Sequence, residues 1–320
     1  MLFAGSDDGV YRVDGVHDGP GTTAERVLET DRVYRVGRLD GLGLFAAGEA
    51  GLYRSPDGES WTRLPVPEEQ VYAVAASAAG DRLYAGTRPS RVFVADPGAA
   101  GEPGAWSELE GFRELRERAD WGIPRHDGVS QVRSLVTHPD APDRVVAGVE
   151  VGGVQVSDDG GDTWTARHVE GEAPHTDDIH HLARGGPDTL LAATGSGLFR
   201  TDDAGRSWTR LDTGHRQRYF RESLLHEGVV YAGAAPASST SWEEDTDHAL
   251  FEGRDGALER VDSPTPEEVP LGWCVTDRAV VTACHRGSLL ANGGDGFQRV
   301  GSVPVPGAVR GRYLPLWWDG

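Results

Sequence analysis

Seven short apolar segments along the chain share a feature with chemical consequences. The residue after the first apolar position is cationic, imidazole or aromatic. In chain order these residues are Tyr34, Tyr72, Arg133, His180, Arg221, Trp273 and, near the C-terminus, Arg310. Guanidiniums suit planar, bidentate recognition of a carboxylate or phosphate. Glu150 stands apart, in Gly148-Val149-Glu150-Val151-Gly152, where the matching turns are small. With His180, His181 and His285 it has the residue types of an acid/base group. The alternative is that inward acids, Glu150 and Glu222, pair with the arginines and close the site structurally. His175, Asp177, Asp178 and His180 mix nitrogen and oxygen donors, but their spacing follows no strong metal motif. No metal and no cofactor is expected. Trp121 and Trp242 lie in long, polar segments, either as rings for stacking on a sugar or as anchors for their loops.

The elements that must position these residues repeat. Gly51 to Trp61, Gly153 to Trp164 and Gly197 to Trp208 each read as a short alternating strand, an acidic-glycine turn and a second strand opened by Trp. Upstream of each lies a strand ending in small residues, such as Val145-Val146-Ala147-Gly148, and before that a further apolar run. Four short strands per unit, at a period of roughly 35–50 residues, are the signature of a propeller blade. The fold class expected is all-β, a single seven-bladed β-propeller domain. Its blades span 32–65, 70–111, 130–168, 178–212, 218–262 and 269–301, with a composite first blade from 1–30 and 305–320. The innermost strand missing from 1–30 is expected in Ala308 to Leu314, so that strands from both termini close the ring. Insertions gather between blades and after second strands: Phe112 to Ser130, His168 to Asp177, Thr213 to Gln217 and Ala235 to His248. In repeat folds such insertions mark the binding face.

Ser157-x-Asp159-x-Gly161-x-Thr163-Trp164 resembles the Asp-box, or BNR, repeat at every position. Thr201-x-Asp203-x-Gly205-x-Ser207-Trp208 resembles it conservatively, and Ser55 to Trp61 is one residue short. The resemblance covers essentially the whole chain and is specific for fold. It implies little about function, because Asp-box propellers include sialidases, other glycosidases, sortilin-type receptors and photosystem assembly factors. An Asp in such a turn bonds backbone amides and Gly supplies the positive φ, so Asp57, Asp159 and Asp203 read as structural. Sialidase proper is disfavoured, since the only trace of its Arg-Ile-Pro motif is Ile123-Pro124-Arg125, out of order in a loop. Two function classes remain. One is a binding propeller that holds a small anionic or sugar-like ligand at the channel mouth through Arg133, Arg221, Arg310, Tyr34, Tyr72, Trp273, Trp121, Trp242 and His285, or that grips a protein partner. The other is a glycoside hydrolase-like or lyase-like enzyme with Glu150, His180 and His181 as acid/base. A glycosidase needs two suitably placed carboxyls, and Glu150 is the one obvious acid, so binding is favoured.

Composition sets the partners. The 320 residues carry 51 acidic and 31 basic side chains, a formal net charge of -20, and no lysine. Such a surface repels nucleic acid and anionic membranes. No run approaches the ~18 apolar residues of a membrane span, and no signal peptide is visible, so a cytoplasmic monomer is expected. Cys274 and Cys284 are then reduced, buried thiols. Acid excess with complete loss of lysine resembles the bias of salt-in haloarchaea; an acidic protein from a GC-rich bacterium is the alternative. Self-repulsion at this charge destabilises the compact state, and ~1 M salt shrinks the Debye length to ~3 Å. The melting temperature is therefore expected to rise steadily from dilute buffer into molar KCl. A flat or falling curve would remove the halophilic reading.

Overall fold

The computed structural model describes every residue except 19–20, 123–127, 170–174, 245 and 255. Ile123-Pro124-Arg125 therefore lies outside the described residues, as does part of the insertion from His168. Seven four-stranded antiparallel sheets form a β-propeller. The innermost strands of blades two to seven are Val33–Leu39, Gln70–Ala76, Gln131–His138, Ile179–Arg184, Tyr219–His226 and Pro270–Val275. Around the channel each packs against its neighbours, and the ring closes on itself.

Both termini build the first blade, but not by the strand expected. Leu316–Trp318 is its innermost strand, pairing Leu2 with Trp318 and Ala4 with Leu316. Ala308 to Leu314 is instead a loop over one end of the channel. Two features keep it out of the sheet. Gly311 sits at φ +72°, which breaks an extended run. Arg312, buried, donates to Asp7 at 2.8 Å and to the His285 carbonyl at 2.7 Å. A charged side chain buried between sheets would lack such partners.

Close approach between blades explains the small residues that end the second strands. A Cβ on Gly86 would stand 2.6 Å from Val132, and one on Gly148 would stand 2.6 Å from Ile179. Glycine thus lets the first apolar side chain of the next innermost strand dock at the top of its neighbour. Below that level the gaps between sheets are filled by residues such as Phe45, Leu83, Phe93 and Trp106.

The Asp-box turns satisfy their own backbone. Asp159 accepts from the Thr163 amide at 2.8 Å and hydroxyl at 2.6 Å, and Asp203 accepts from the Ser207 amide at 2.9 Å and hydroxyl at 2.7 Å. Asp57 accepts from the Glu59 and Ser60 amides at 2.9 and 2.8 Å. These bonds hold all three carboxyls down at about 2, and none of the three lines the channel cavities. The two cysteines are buried and unbridged, on adjacent strands but out of register, with Cys274 opposite Val281 and Cys284 opposite Pro270.

Removing residues 316–320 would leave Leu2–Ser6 as an unpaired edge and strip Leu316 and Trp317 from their clusters. Denaturant unfolding of that truncation is expected to lose its single cooperative transition. A transition superimposable on that of the full chain would mean the strand does not close the ring.

Candidate functional site at the channel mouth

Backbone geometry creates the site. Six of the seven innermost strands carry a β-bulge near their start, and the extra residue is Tyr34, Tyr72, Arg133, His180, one of Arg221–Glu222, or Leu271. A bulge re-aims a side chain that the regular pleat would send elsewhere. Here it follows the apolar residue docked on the glycine of the preceding blade, so the same slot recurs around the axis. In blade seven Gly233 packs against Pro270, and the slot falls on Leu271, two residues before Trp273.

A cavity of about 550 Å³ opens at this end, within the range that encloses small-molecule ligands. Tyr34, Tyr72, Arg133, Glu150, Arg221 and Arg310 all line it. Arg310 reaches it from the loop that crosses the mouth, where it is exposed. The lining also includes five arginines, with Arg32 and Arg88 added, against the carboxylates Glu49, Glu150 and Asp178. That is a cationic excess in a protein of net charge -20.

The two deep arginines differ. Arg133, 3% exposed, forms a buried ion pair with Glu150, which also accepts from Gln131 Nε2 at 2.6 Å. Burial pushes Glu150 up, but the Arg133 guanidinium, with the Gln131 hydrogen bond and the charge of Arg221, together outweigh it and hold the carboxyl well below the usual range. Arg221, 7% exposed, has no ion pair among the described residues, and its Nε is buried without a partner. Its contacts are ring faces: Tyr313 at 4.7 Å, Tyr219 at 5.8 Å and Trp242 at 5.9 Å from guanidinium carbon to centroid. Burial, and then the like charge of Arg133, lower its pKa. Burial dominates this shift, and the Glu150 carboxylate opposes it.

Aromatic side chains build the walls. Tyr34 and Tyr72 stack at 4.0 Å with planes 7° apart, and Tyr313 meets Tyr34 edge-on at 4.9 Å. Burial raises the Tyr34 phenol, which keeps its proton. Tyr313 comes from the loop fixed by Arg312 and also touches Arg133 through its hydroxyl. Gln70 lines the same wall with a buried Oε1 that has no partner among the described residues.

The remaining sequence candidates lie elsewhere. His180 is buried under the mouth, with Nδ1 2.6 Å from the Phe220 carbonyl, and burial holds it neutral. His181 faces the opposite end of the channel, where it lines a second cavity of about 220 Å³ with Trp273, Arg35 and Glu222. Glu222 does not meet the mouth arginines; it pairs with Arg35 at 2.8 Å. His285 is fully buried, accepts from the Val269 amide at 3.0 Å, and is pushed down to about 3 by burial. Trp242 is fully buried and donates to the Ala237 carbonyl at 3.0 Å, anchoring the Ala235 to His248 excursion. Trp121 is buried against Phe112, centroids 5.6 Å apart, beneath the helix Glu110–Arg118. Neither Trp offers a free ring for stacking on a sugar. Asp177 is taken by His168 at 2.9 Å and Asp178 by His175 at 3.0 Å.

Sequence reading missed Gln70, Gln131, Tyr219 and Tyr313. The first three carry a signal. Each stands two residues before a slot residue, in Gln70-Val71-Tyr72, Gln131-Val132-Arg133 and Tyr219-Phe220-Arg221, and the first and last residue of each triplet line the cavity.

No family model matches the chain, and no curated protein matches it. Solved structures do. The chain is similar to an ancestral GH74 enzyme at 14% identity and a TM-score of 0.59, covering 94% of this chain but 39% of that one. It is similar to YCF48 bound to D1 peptide at 14% identity and a TM-score of 0.58, covering 83% and 81% of the two chains. The WD40 β-propeller domain of Doa1 gives a TM-score of 0.58 at 13% identity, covering 86% and 83%. This chain is therefore a seven-bladed β-propeller, and at these identities the likeness extends to the fold alone.

Proposed function

We propose that this propeller binds a small anionic ligand at its channel mouth, with Arg221 as the group that receives the negative charge. The observation carrying this reading is that Arg221 is more than nine-tenths buried, lines the cavity and lacks an ion pair among the described residues. A buried charge without a partner is costly, and proteins ordinarily pair it. Arg133 stands in a different position, because Glu150 already neutralises it. Tyr34, Tyr72 and Tyr313 then wall the ligand, and Arg310 stands at the rim.

Glycoside hydrolysis, the enzymatic alternative raised by the sequence, fits this mouth poorly. A general acid needs a carboxyl whose pKa is raised, and Arg133 drives Glu150 the other way. His180 is buried and neutral, its Nδ1 committed to a backbone carbonyl. A protein partner, as in the D1 peptide of the YCF48 neighbour, gains little support either: Met1 is the one large hydrophobic exposed among the described residues.

The two arginines respond differently to mutation on this reading. Arg133→Ala leaves Glu150 buried and unpaired, an expected loss of about 3–5 kcal/mol. Arg221→Gln removes a charge that has no partner, so stability is expected to hold or rise slightly. Thermal melts of parent and variants, at one KCl concentration with and without a panel of sugar acids, check this. The parent is expected to be stabilised by ligand and the Arg221→Gln protein to show no shift. Equal destabilisation of both variants, with no ligand shift in the parent, would leave a structural plug instead of a site.

A further inference from the structure

The cavity has two poles. At one, on blade six, is the buried Arg221 without an ion pair. At the other, three blades round the ring on blade three, is Gln70, whose buried Oε1 has no partner among the described residues. The first requires a negative acceptor and the second requires a hydrogen-bond donor, because an amide oxygen only accepts. Leaving either unsatisfied in a desolvated place is unfavourable. One small molecule spanning the mouth can meet both demands.

Charge narrows the class further. Among the deep groups, Glu150 cancels Arg133 and Asp178 lies against His175. Arg32 is paired with Asp7 at 3.0 Å. Arg221 is then the buried arginine of the lining with no ion pair among the described residues, beside the buried carboxylates Glu150 and Asp178. A dianion would carry one charge more than Arg221 can compensate and would be repelled by Glu150 and Asp178. A monoanion balances the site. Arginine's fork matches the two oxygens of a carboxylate, and the Arg221 guanidinium carbon lies 4.7–5.9 Å from three aromatic ring centroids, none of which supplies a charged acceptor. The wall between the poles is polar, with the hydroxyls of Tyr34, Tyr72 and Tyr313 and, at the rim, Ser238 and Thr240.

Resting on the reading of Arg221 as the anion-binding group, we infer that the ligand is a hydroxylated monocarboxylate, bound with its carboxylate on Arg221 and a hydroxyl donating to Gln70. Phosphate monoesters, neutral sugars and plain aliphatic acids each lack one of the required features.

Isothermal titration calorimetry on the full chain, at one fixed KCl concentration, separates the cases with four probes: glucuronate, glucose, acetate and inorganic phosphate. Glucuronate is expected to bind at least about tenfold more tightly than the other three. Gln70→Leu is expected to weaken glucuronate about tenfold and to leave acetate unchanged. Arg221→Gln is expected to abolish glucuronate and acetate binding alike, with its melt confirming that it folds. Phosphate binding more tightly than glucuronate, acetate equalling glucuronate, or Gln70→Leu acting equally on both acids would overturn the ligand class while leaving Arg221 as an anion site. If no probe binds, or if Arg221→Gln binds as the parent does, the class and the underlying reading fall together.

Discussion

A guanidinium removed from water must find negative charge or remain a cost to the fold. At Arg221 this constraint organises the rest of the mouth. The strand that carries it is bulged, so that Arg221 turns into the channel while Glu222 goes to Arg35 at the other end. The loop from 305 to 314 brings the Tyr313 ring to it, and the excursion after Ala235 brings the Trp242 ring to it. Ring faces attract a cation by about 0.5–2 kcal/mol, far less than desolvation of an ion costs. The aromatic cage therefore positions the charge without neutralising it, and keeps water away from one side of it.

Seven sheets arranged around an axis make this possible. Second strands carry a glycine near their ends, as at Gly86, Gly148 and Gly233, a residue at the start of the next innermost strand docks there, and the bulge follows. Side chains from sheets far apart in sequence are thus delivered to one level. Arg133–Glu150 lines the mouth, and Arg35–Glu222 lines the smaller opposite cavity. The acidic surface adds a long-range bias against anions that salt screens, so occupancy of the mouth is tied to ionic strength as well as to local contacts.

Much of this was legible before any coordinates, because repeats state their own register. The blade count, the composite first blade and the slot holding Tyr34, Tyr72, Arg133, His180 and Arg221 follow from aligning short apolar runs. What escaped has physical causes. Blade seven opens on Pro270, which shifts its slot to Leu271 and sends Trp273 to the other end. A bulge changes the parity of a strand, so no count of alternation could send Glu222, next to Arg221, to Arg35 at the other end. The position of Tyr313 depends on Arg312 reaching Asp7, a contact across nearly the whole chain. Arg310 reaches the mouth by that same loop rather than from a strand. Trp121, Trp242 and His285 were attractive by residue type, and burial shows them supporting loops and strands instead.

The central claim is that Arg221, not Arg133, holds a negatively charged guest. Crystals of the protein grown in potassium bromide test it most directly, since bromide scatters anomalously and is small enough to enter the cavity. The account predicts an anomalous peak in contact with the Arg221 guanidinium, and none between Arg133 and Glu150. A structure in which Arg221 carries no bromide and is instead paired with an internal carboxylate would contradict it.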